Sequence, residues 1–134
     1  MMVDLDYFKQ INDQYGHPEG DLCLKSTAQA LREVFGEESL IGRVGGDEFA
    51  VLVASPVPQE QLEQDLRFFL DQIHSMGTSG HRLSCSIGVV PALPGSSADA
   101  LYHRADRMLY QAKQAGRGRF VIGTPEEAET EAER

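Results

Sequence analysis

Two short apolar segments separated by a pair of glycines constrain the fold of this chain more than any other feature of its sequence. Residues 40–44 and 49–54 have the composition of β-strands, and Gly45-Gly46 lies between them. Glycine accepts a positive φ without steric cost, so this connection is typical of a tight antiparallel hairpin. At least one strand pair is therefore antiparallel, which argues against a doubly wound parallel sheet.

Helical and strand-like patterns alternate along the rest of the chain. Apolar residues three and four apart predict four helices, at 7–15, 21–34, 62–76 and 101–115. Asp6 is placed to cap the first helix, and Ser96-Ser97 offers a hydroxyl to cap the last. Further strands are predicted at the first residues of the chain, at 82–93 and at 119–122. The expected fold class is α+β, an α/β sandwich with helices flanking a mixed, largely antiparallel sheet.

The size and charge of the chain limit its partners. Its 134 residues, 41% of them hydrophobic, suffice for one core and not for two. The formal net charge is −9, and residues 126–134 contribute −4 of it through five acids and one base. Such a surface offers nothing to a nucleic-acid backbone, so no nucleic-acid partner is expected. A phosphate ligand needs a few local cations, backbone amides or a metal.

The cysteines and the chain ends bear on location and domain boundaries. Cys23 and Cys85 lie among apolar residues without Cys-x-x-Cys spacing, which is typical of reduced thiols in a cytoplasmic protein. No apolar run approaches the roughly 20 residues that span a bilayer. The chain opens inside a predicted strand, so we expect a domain over 1–123 that is truncated at its start. The acidic tail, 124–134, is expected to be frayed or disordered.

Acidic residues at strand ends are the clearest candidates for chemistry. Asp4 ends the first predicted strand, and Asp47-Glu48 follows the hairpin turn. Carboxylates that converge from neighbouring strands suit Mg²⁺, which prefers oxygen ligands, and they match the arrangement of a two-metal phosphoryl-transfer site. Alternatively, Asp4 and Asp6 form a helix-capping pair and Asp47 is a turn residue. On spacing alone, this second interpretation is the more frequent one.

Several segments of the chain together resemble the GGDEF family of diguanylate cyclases, which join two GTP molecules into cyclic di-GMP. Residues 45–49 read GGDEF, and Arg43 precedes them. The other matching blocks, in the family's order and at similar spacing, are DLDYFKQIND at 4–13, GHPEGD at 16–21 and YQAKQAGR at 110–117. The resemblance covers residues 1–123, although the family's domain normally begins earlier, with a helix. It implies a palm-like fold related to nucleotidyl cyclases.

The resemblance implies a magnesium site at the strand ends. Asp4 and Asp47 would be carboxylate ligands of two Mg²⁺ ions, which Mn²⁺ can replace, and the backbone carbonyl of Leu5 would be a third contact. Glu48 would be either a further ligand or the group that assists deprotonation of the attacking ribose 3′-hydroxyl. Removal of the Asp47 carboxylate is therefore expected to abolish turnover and to leave the fold nearly intact.

Two further positions match the family's guanine-reading residues, Asn12 and Asp21. Guanine presents N1–H and N2–H₂ as adjacent donors, which a carboxylate can accept together, whereas adenine offers an acceptor at N1. GTP is therefore expected over ATP. The alternative is that Asn12 ends the first helix and Asp21 caps the second, which both residue types do well.

The family's triphosphate contacts map to both ends of the chain. The amides of Tyr7, Phe8 and Lys9 would cradle the β- and γ-phosphates, as helix N-termini do for anions in general. Lys113 and Arg117 would contact the same phosphates. The alternative is that these two cations only complement the carbonyl end of the last helix.

Two glycines have both a structural and a functional interpretation, and a third departs from the family's usual residue. Gly45 and Gly46 suit the turn, and they also let the backbone approach the nucleotide closely because no side chain intervenes. Gly118 occupies a position where the family more often has Asn, which bears on local rigidity more than on chemistry.

The implied reaction needs a homodimer, because each of two chains holds one GTP whose 3′-hydroxyl attacks the other's α-phosphorus. A different possibility is a non-catalytic module that binds GTP or cyclic di-GMP, and a third is that this truncated chain binds nucleotide but turns it over slowly. A sensory domain is expected upstream in the full-length protein; its input signal and any membrane anchor stay open.

Residues 36–39 bear on regulation. Many family members have an inhibitory, product-binding Arg-x-x-Asp in this register, where this chain reads Gly-Glu-Glu-Ser. Two glutamates repel a phosphate, so no feedback inhibition is expected through this segment, which is interpreted mainly as a loop.

Overall fold

The computed structural model describes residues 1–36, 39–53, 57–76 and 83–124. Within these ranges the predicted helices and strands are present, with shifted boundaries. In chain order they are β1 (Met2–Leu5), α1 (Phe8–Tyr15), α2 (His17–Phe35), β2 (Leu40–Arg43), β3 (Glu48–Leu52), α3 (Gln59–Ser75), β4 (Cys85–Val89), α4 (Ala98–Gln114) and β5 (Phe120–Ile122).

The five strands form one sheet in the order β2-β3-β1-β4-β5. Strand β1 lies at its centre and pairs antiparallel with both β3 and β4, and β2 pairs antiparallel with β3. In the described part of the chain only β4 and β5 pair in parallel. The prediction of an α+β fold with a mixed, largely antiparallel sheet is confirmed.

The two faces of β1 serve different purposes. Val3 and Leu5 belong to the main core, which also takes its buried side chains from α2 and α3. Met2 packs on the opposite face against Ala105 and Leu109 of α4. Because successive strand residues point to opposite faces, Asp4 lies on the α4 side with Met2. The central strand thus joins the hydrophobic core to a polar site.

The contact between β4 and α4 is unusually close. A Cβ atom built on Gly88 would overlap the backbone of α4 at Ala105 and Leu109. The helix therefore lies directly on the strand, at a distance that only glycine allows. This contact fixes the position of the end of α4, which carries Lys113.

Of the two predicted helix caps, one is confirmed and one is wrong. The predicted hydroxyl cap of α4 is confirmed, because Ser97 Oγ accepts from the amide of Ala100 at 3.1 Å. The prediction that Asp6 caps α1 is wrong: the N-cap position is Tyr7, and within the described chain no side chain caps this helix. Asp6 is drawn instead into buried hydrogen bonds with β4.

Helix α2 begins at His17, earlier than predicted, with Pro18 in its first turn. Proline suits this position because its missing N–H has no partner there in any case. Asp21 therefore lies inside α2, and Asn12 lies inside α1, before its last residue. The alternative that these two residues act as helix caps is wrong.

The hairpin is confirmed, but the reason given for its glycines is wrong. Strands β2 and β3 pair up to Arg43 and Phe49, and the amide of Val44 donates to the Glu48 carbonyl at 2.9 Å. Neither connecting glycine adopts a positive φ. The Arg43 guanidinium holds the turn instead, donating to the carbonyls of Gly45 and Gly46 at 3.1 and 2.8 Å.

Some predictions fall outside the described residues. Glu37 and Glu38 of the segment expected to lack feedback inhibition lie there, as does the acidic tail from residue 125 onward. Within the described ranges, no helix is both long enough and apolar enough to cross a membrane.

Candidate functional site

The antiparallel pairing of β1 with β3 brings the predicted acidic residues together. Asp4 is the cross-strand partner of Glu48, and the Leu5 amide donates to the Asp47 carbonyl at 3.0 Å. The Asp4 and Asp47 side chains lie close enough to interact electrostatically. The sheet therefore places all three acids at one end of these two strands, where β1 ends and β3 begins.

This acidic cluster is held in an unfavourable electrostatic state. Asp4 is only 7% exposed, and burial raises its pKa to about 6, with a further contribution from Asp47. An ion pair between Asp4 Oδ2 and Lys113 Nζ opposes this shift. Burial also raises the pKa of Glu48, assisted by the negative charges of Asp4 and Asp106. Carboxylates this close repel one another, and a bound cation would relieve that repulsion.

Two oxygens of the cluster indicate where a cation would bind. Among the described residues, Asp4 Oδ1 and Glu48 Oε1 are buried without a hydrogen-bond partner. Such atoms are rare in folded proteins because their desolvation is not compensated. No group of three or more His, Cys, Asp and Glu side chains in the described chain is arranged to hold a metal. The smaller set of carboxylates at Asp4, Asp47 and Glu48 fits Mg²⁺, which keeps several waters and completes its shell with substrate phosphates.

The packing of α1 on α2 sets Asn12, one of the two predicted base-reading residues, against Gly20, which directly precedes the other, Asp21. A Cβ atom at Gly20 would collide with the Asn12 side-chain oxygen, so Gly20 lets the Asn12 side chain lie directly on α2. Asp21 is the next residue and is exposed. Asn12 therefore packs beside the residue that precedes Asp21 in the neighbouring helix. Gly20 was not singled out from the sequence, and only its position before Asp21 could have pointed to it.

The start of α1 carries the amides of Tyr7, Phe8 and Lys9, which the family resemblance assigns to phosphate binding. The first amides of any α-helix have no intrahelical partner. In the described chain no side chain caps this helix, and its first turn contains no acidic residue that would repel an anion. These amides can therefore receive a phosphate group.

The two predicted phosphate-binding cations occupy different environments. Lys113 is paired with Asp4 and so lies nearer to the acidic cluster than the sequence suggested. The Arg117 guanidinium carbon lies 5.0 Å from the centre of the Tyr7 ring. Arg117 Nη1 is also 3.9 Å from Asp6 Oδ1. Arg117 thus borders the start of α1, whereas Lys113 borders the acidic cluster.

Asp6 ties this corner of the site together, a role that sequence reasoning missed. It is 3% exposed and accepts from Ser84 Oγ at 2.6 Å, Ser86 Oγ at 2.7 Å and the Gly118 amide at 2.9 Å. Gly118 has a φ of 61°. Asn also tolerates this conformation, which explains why either residue suits the position. The only signal in the sequence was a second acid two residues after Asp4.

Gly45 and Gly46 leave the surface beside Asp47 open. A Cβ atom at Gly46 would meet no atom of the described residues within 4 Å, and one at Gly45 would meet only Glu48, in ordinary contact. Neither a positive φ nor the packing of the described residues therefore demands glycine at these two positions.

Replacing Asp4 with Asn should change how stability depends on pH. Because burial raises the pKa of Asp4 from 3.8 to about 6, the folded chain binds this proton more tightly than the unfolded chain does. Its contribution to stability is present in acid, declines as the pH rises from about 4 to about 6, and stays low above that. Asp4→Asn should remove this decline and stabilise the protein at pH 7.5 by about 1–3 kcal/mol.

The measurement is denaturant unfolding across this pH range, with EDTA present so that no metal binds. Lys113 loses its partner in this variant, but its side chain is 29% exposed and can be hydrated. If the free energy of unfolding of Asp4→Asn depended on pH as it does in the unaltered protein, the pKa of Asp4 would not be the cause of that dependence.

We compared the chain with protein-family models, curated proteins and solved structures. A family model described as diguanylate cyclase, GGDEF domain, matches residues 1–119. The chain is 38% identical over 128 residues to the cyclic di-GMP phosphodiesterase PdeR of Escherichia coli (strain K12), covering 92% of this chain and 19% of that protein. It is 37% identical over 124 residues to the diguanylate cyclase DgcS of Shewanella oneidensis, covering 91% of this chain and 41% of that protein.

The fold is similar to that of the active GGEEF domain of a diguanylate cyclase from Vibrio cholerae. The TM-score is 0.78 at 33% identity, covering 90% of this chain and 79% of that chain. This chain spans less than half the length of the two curated relatives named above. The family match over residues 1–119 and the shared fold show that this chain belongs to the GGDEF family of diguanylate cyclase domains.

Proposed function

We propose that this domain is a diguanylate cyclase that condenses two GTP molecules into cyclic di-GMP and two pyrophosphates. The observation that carries the proposal is the pairing of β1 with β3, which sets Asp4 opposite Glu48 and near Asp47. It leaves Asp4 Oδ1 and Glu48 Oε1 buried without hydrogen-bond donors among the described residues. Such a cluster opposes stability in the absence of a cation, so its presence favours a role in binding a metal ion and a nucleotide. Lys113 of α4 pairs with Asp4, and α1 begins three residues after the end of β1.

Each step of the reaction forms one bond and breaks one. The 3′-oxygen of one GTP bonds to the α-phosphorus of the other, and the bond from that phosphorus to the bridging oxygen breaks to release pyrophosphate. Mg²⁺ bound at Asp4, the Leu5 carbonyl and Asp47 would lower the pKa of the 3′-hydroxyl and neutralise phosphate charge. Glu48, whose pKa is raised by burial, accepts the hydroxyl proton. A second, identical step closes the ring.

The remaining residues bind and orient GTP. Asn12 and Asp21 accept from the guanine edge, and the amides of α1 with Lys113 and Arg117 hold the β- and γ-phosphates. One chain binds one GTP, so two chains must face each other and the active form is a homodimer. Segments outside this chain would bring the two copies together in response to a signal, since its relatives are much longer.

A second candidate is a nucleotide-binding module that signals without turnover. The observation that favours it is the similarity to PdeR, which is named as a phosphodiesterase of cyclic di-GMP rather than as a cyclase. In such a module the same site would bind GTP and pass the signal to an attached domain. The intact acidic cluster argues for the cyclase.

The deciding experiment is incubation of the purified chain with GTP and Mg²⁺ over a range of protein concentrations, followed by nucleotide chromatography. Cyclic di-GMP that forms at a rate rising steeply with concentration, and that disappears with EDTA or with ATP as substrate, supports a dimeric cyclase. GTP binding without product at any concentration supports the signalling module. A chain that binds no GTP would overturn both.

Base recognition gives a separate prediction. Asp21→Ala should weaken GTP binding about 10- to 100-fold, because a carboxylate that accepts two guanine donors contributes roughly 1.5–3 kcal/mol. Binding of ATP, which lacks those donors, should not change. The matched control is Asp71→Ala, which removes an exposed acid from α3, a helix that contributes nothing to the site. Calorimetric titration measures all three proteins, and an equal loss for both nucleotides would contradict base recognition by Asp21.

A further inference from the structure

The contact between Tyr7 and Arg117 joins two residues with unusual backbones. In the described chain these are the non-glycine residues with positive φ, 58° for Tyr7 and 65° for Arg117. The side chain of an L-residue disfavours this conformation, so it persists only where the surrounding structure holds it. Here both residues adopt it at one place, and their side chains meet with the guanidinium carbon 5.0 Å from the ring centre.

The environment of Tyr7 offers no packing reason for an aromatic ring. Tyr7 is 57% exposed, so its ring lies over the surface rather than in either hydrophobic cluster. Its ring instead lies under the Arg117 guanidinium. A guanidinium that rests on an aromatic ring by its face keeps its N–H donors directed outward in its own plane.

Asp6 attracts Arg117 without accepting a hydrogen bond from it. The two Asp6 oxygens already accept from Ser84, Ser86 and the amide of Gly118. Arg117 Nη1 therefore stays 3.9 Å away, too far for a hydrogen bond but near enough for attraction. Its guanidinium is positioned by charge and by the ring, while its donors remain available.

We propose that the Tyr7 side chain is a positioning residue that holds the Arg117 guanidinium ready for the triphosphate of GTP, a role separate from that of the Tyr7 amide. This inference rests on the proposed function. The ring restricts the rotamers of a long, partly exposed side chain before the ligand arrives, so less conformational entropy is lost on binding. The gain is confined to ligands with the phosphates that Arg117 contacts.

The test compares Tyr7→Leu with Tyr7→Phe, using binding of GTP and of guanosine in the presence of Mg²⁺. Tyr7→Leu should weaken GTP binding about 3- to 10-fold, as expected for loss of a partly exposed cation–π contact, and leave guanosine binding unchanged. Tyr7→Phe keeps the ring and should restore most of the GTP affinity. In the cyclase assay KM should rise while kcat stays near its original value. Phe68→Leu, which removes an exposed ring from α3, is the matched control.

A double-mutant cycle identifies Arg117 as the partner. In an Arg117→Ala background, Tyr7→Leu should have no further effect on GTP binding. Equal weakening of guanosine and GTP, or a full Tyr7→Leu effect without Arg117, would overturn the inference, as would GTP binding that Tyr7→Leu leaves intact. If the unaltered protein bound no GTP, the proposed function itself would fail, which is a distinguishable result.

Discussion

Asp47→Asn should reduce the rate of cyclic di-GMP formation by about a thousand-fold or more. The substitution keeps the shape of the side chain and removes the charge that would bind a divalent cation beside Asp4. A metal ion stabilises several kcal/mol of developing charge in phosphoryl transfer, and each 1.4 kcal/mol lost is a tenfold loss in rate. The Asp47 carbonyl still accepts from the Leu5 amide, so the pairing of β1 with β3 is retained.

Chromatography of the products measures the rate, and thermal unfolding checks that the variant is folded. The control is Asp71→Asn, the same substitution at an exposed position of α3, which should leave both measurements unchanged. Turnover by Asp47→Asn within tenfold of the unaltered protein would be incompatible with the proposed metal site. Loss of turnover together with a large fall in the unfolding midpoint would instead mean that Asp47 supports the fold.

Gly88→Ala should destabilise the protein by about 3 kcal/mol or more. Overpacking a core usually costs about 1–3 kcal/mol, because side chains can shift to make room. At Gly88 the new methyl group would meet the backbone of α4 at Ala105 and Leu109, so the whole helix must move. Natural domains are stable by only about 5–15 kcal/mol, so this is a large fraction of the total.

The control is Gly42→Ala on β2, where a Cβ atom would meet no described atom within 4 Å. This variant should be neutral or slightly more stable, because alanine restricts the unfolded chain. Urea unfolding of both proteins gives the comparison. A Gly88→Ala protein as stable as Gly42→Ala would show that α4 can leave β4 freely. GTP binding should fall with Gly88→Ala as well, because α4 carries Lys113.

The fold could be predicted from the sequence because its signals are local. The apolar spacing of α3 and α4, the serine before α4 and the glycines between β2 and β3 each report on a few neighbouring residues. The boundaries were less certain: α2 begins at His17, although Asp21 is also a good cap. The two glycines marked the hairpin correctly for a wrong reason, since neither has a positive φ.

The candidate site could be predicted only in part, because its supports are distant in the chain. The residues of the acidic cluster follow from strand ends and the family resemblance. The hydrogen bonds of Asp6, the contact that demands glycine at Gly88 and the pairing of Lys113 with Asp4 depend on tertiary packing. No periodicity or short motif records which helix backbone lies over a given strand residue.

The hydrogen bond from the Gly118 amide to Asp6 spans 112 positions and joins the residue after the first strand to the turn after the last helix. During synthesis, the ribosome must therefore release nearly the whole domain before the hydrogen bond between Gly118 and Asp6 can form. A nascent or C-terminally clipped chain would keep the acids of the hairpin but lack Lys113, Arg117 and the Gly118 amide, so it should bind GTP more weakly. Retention on immobilised GTP would thus select intact molecules, and ligand binding would favour the complete fold over partly folded forms.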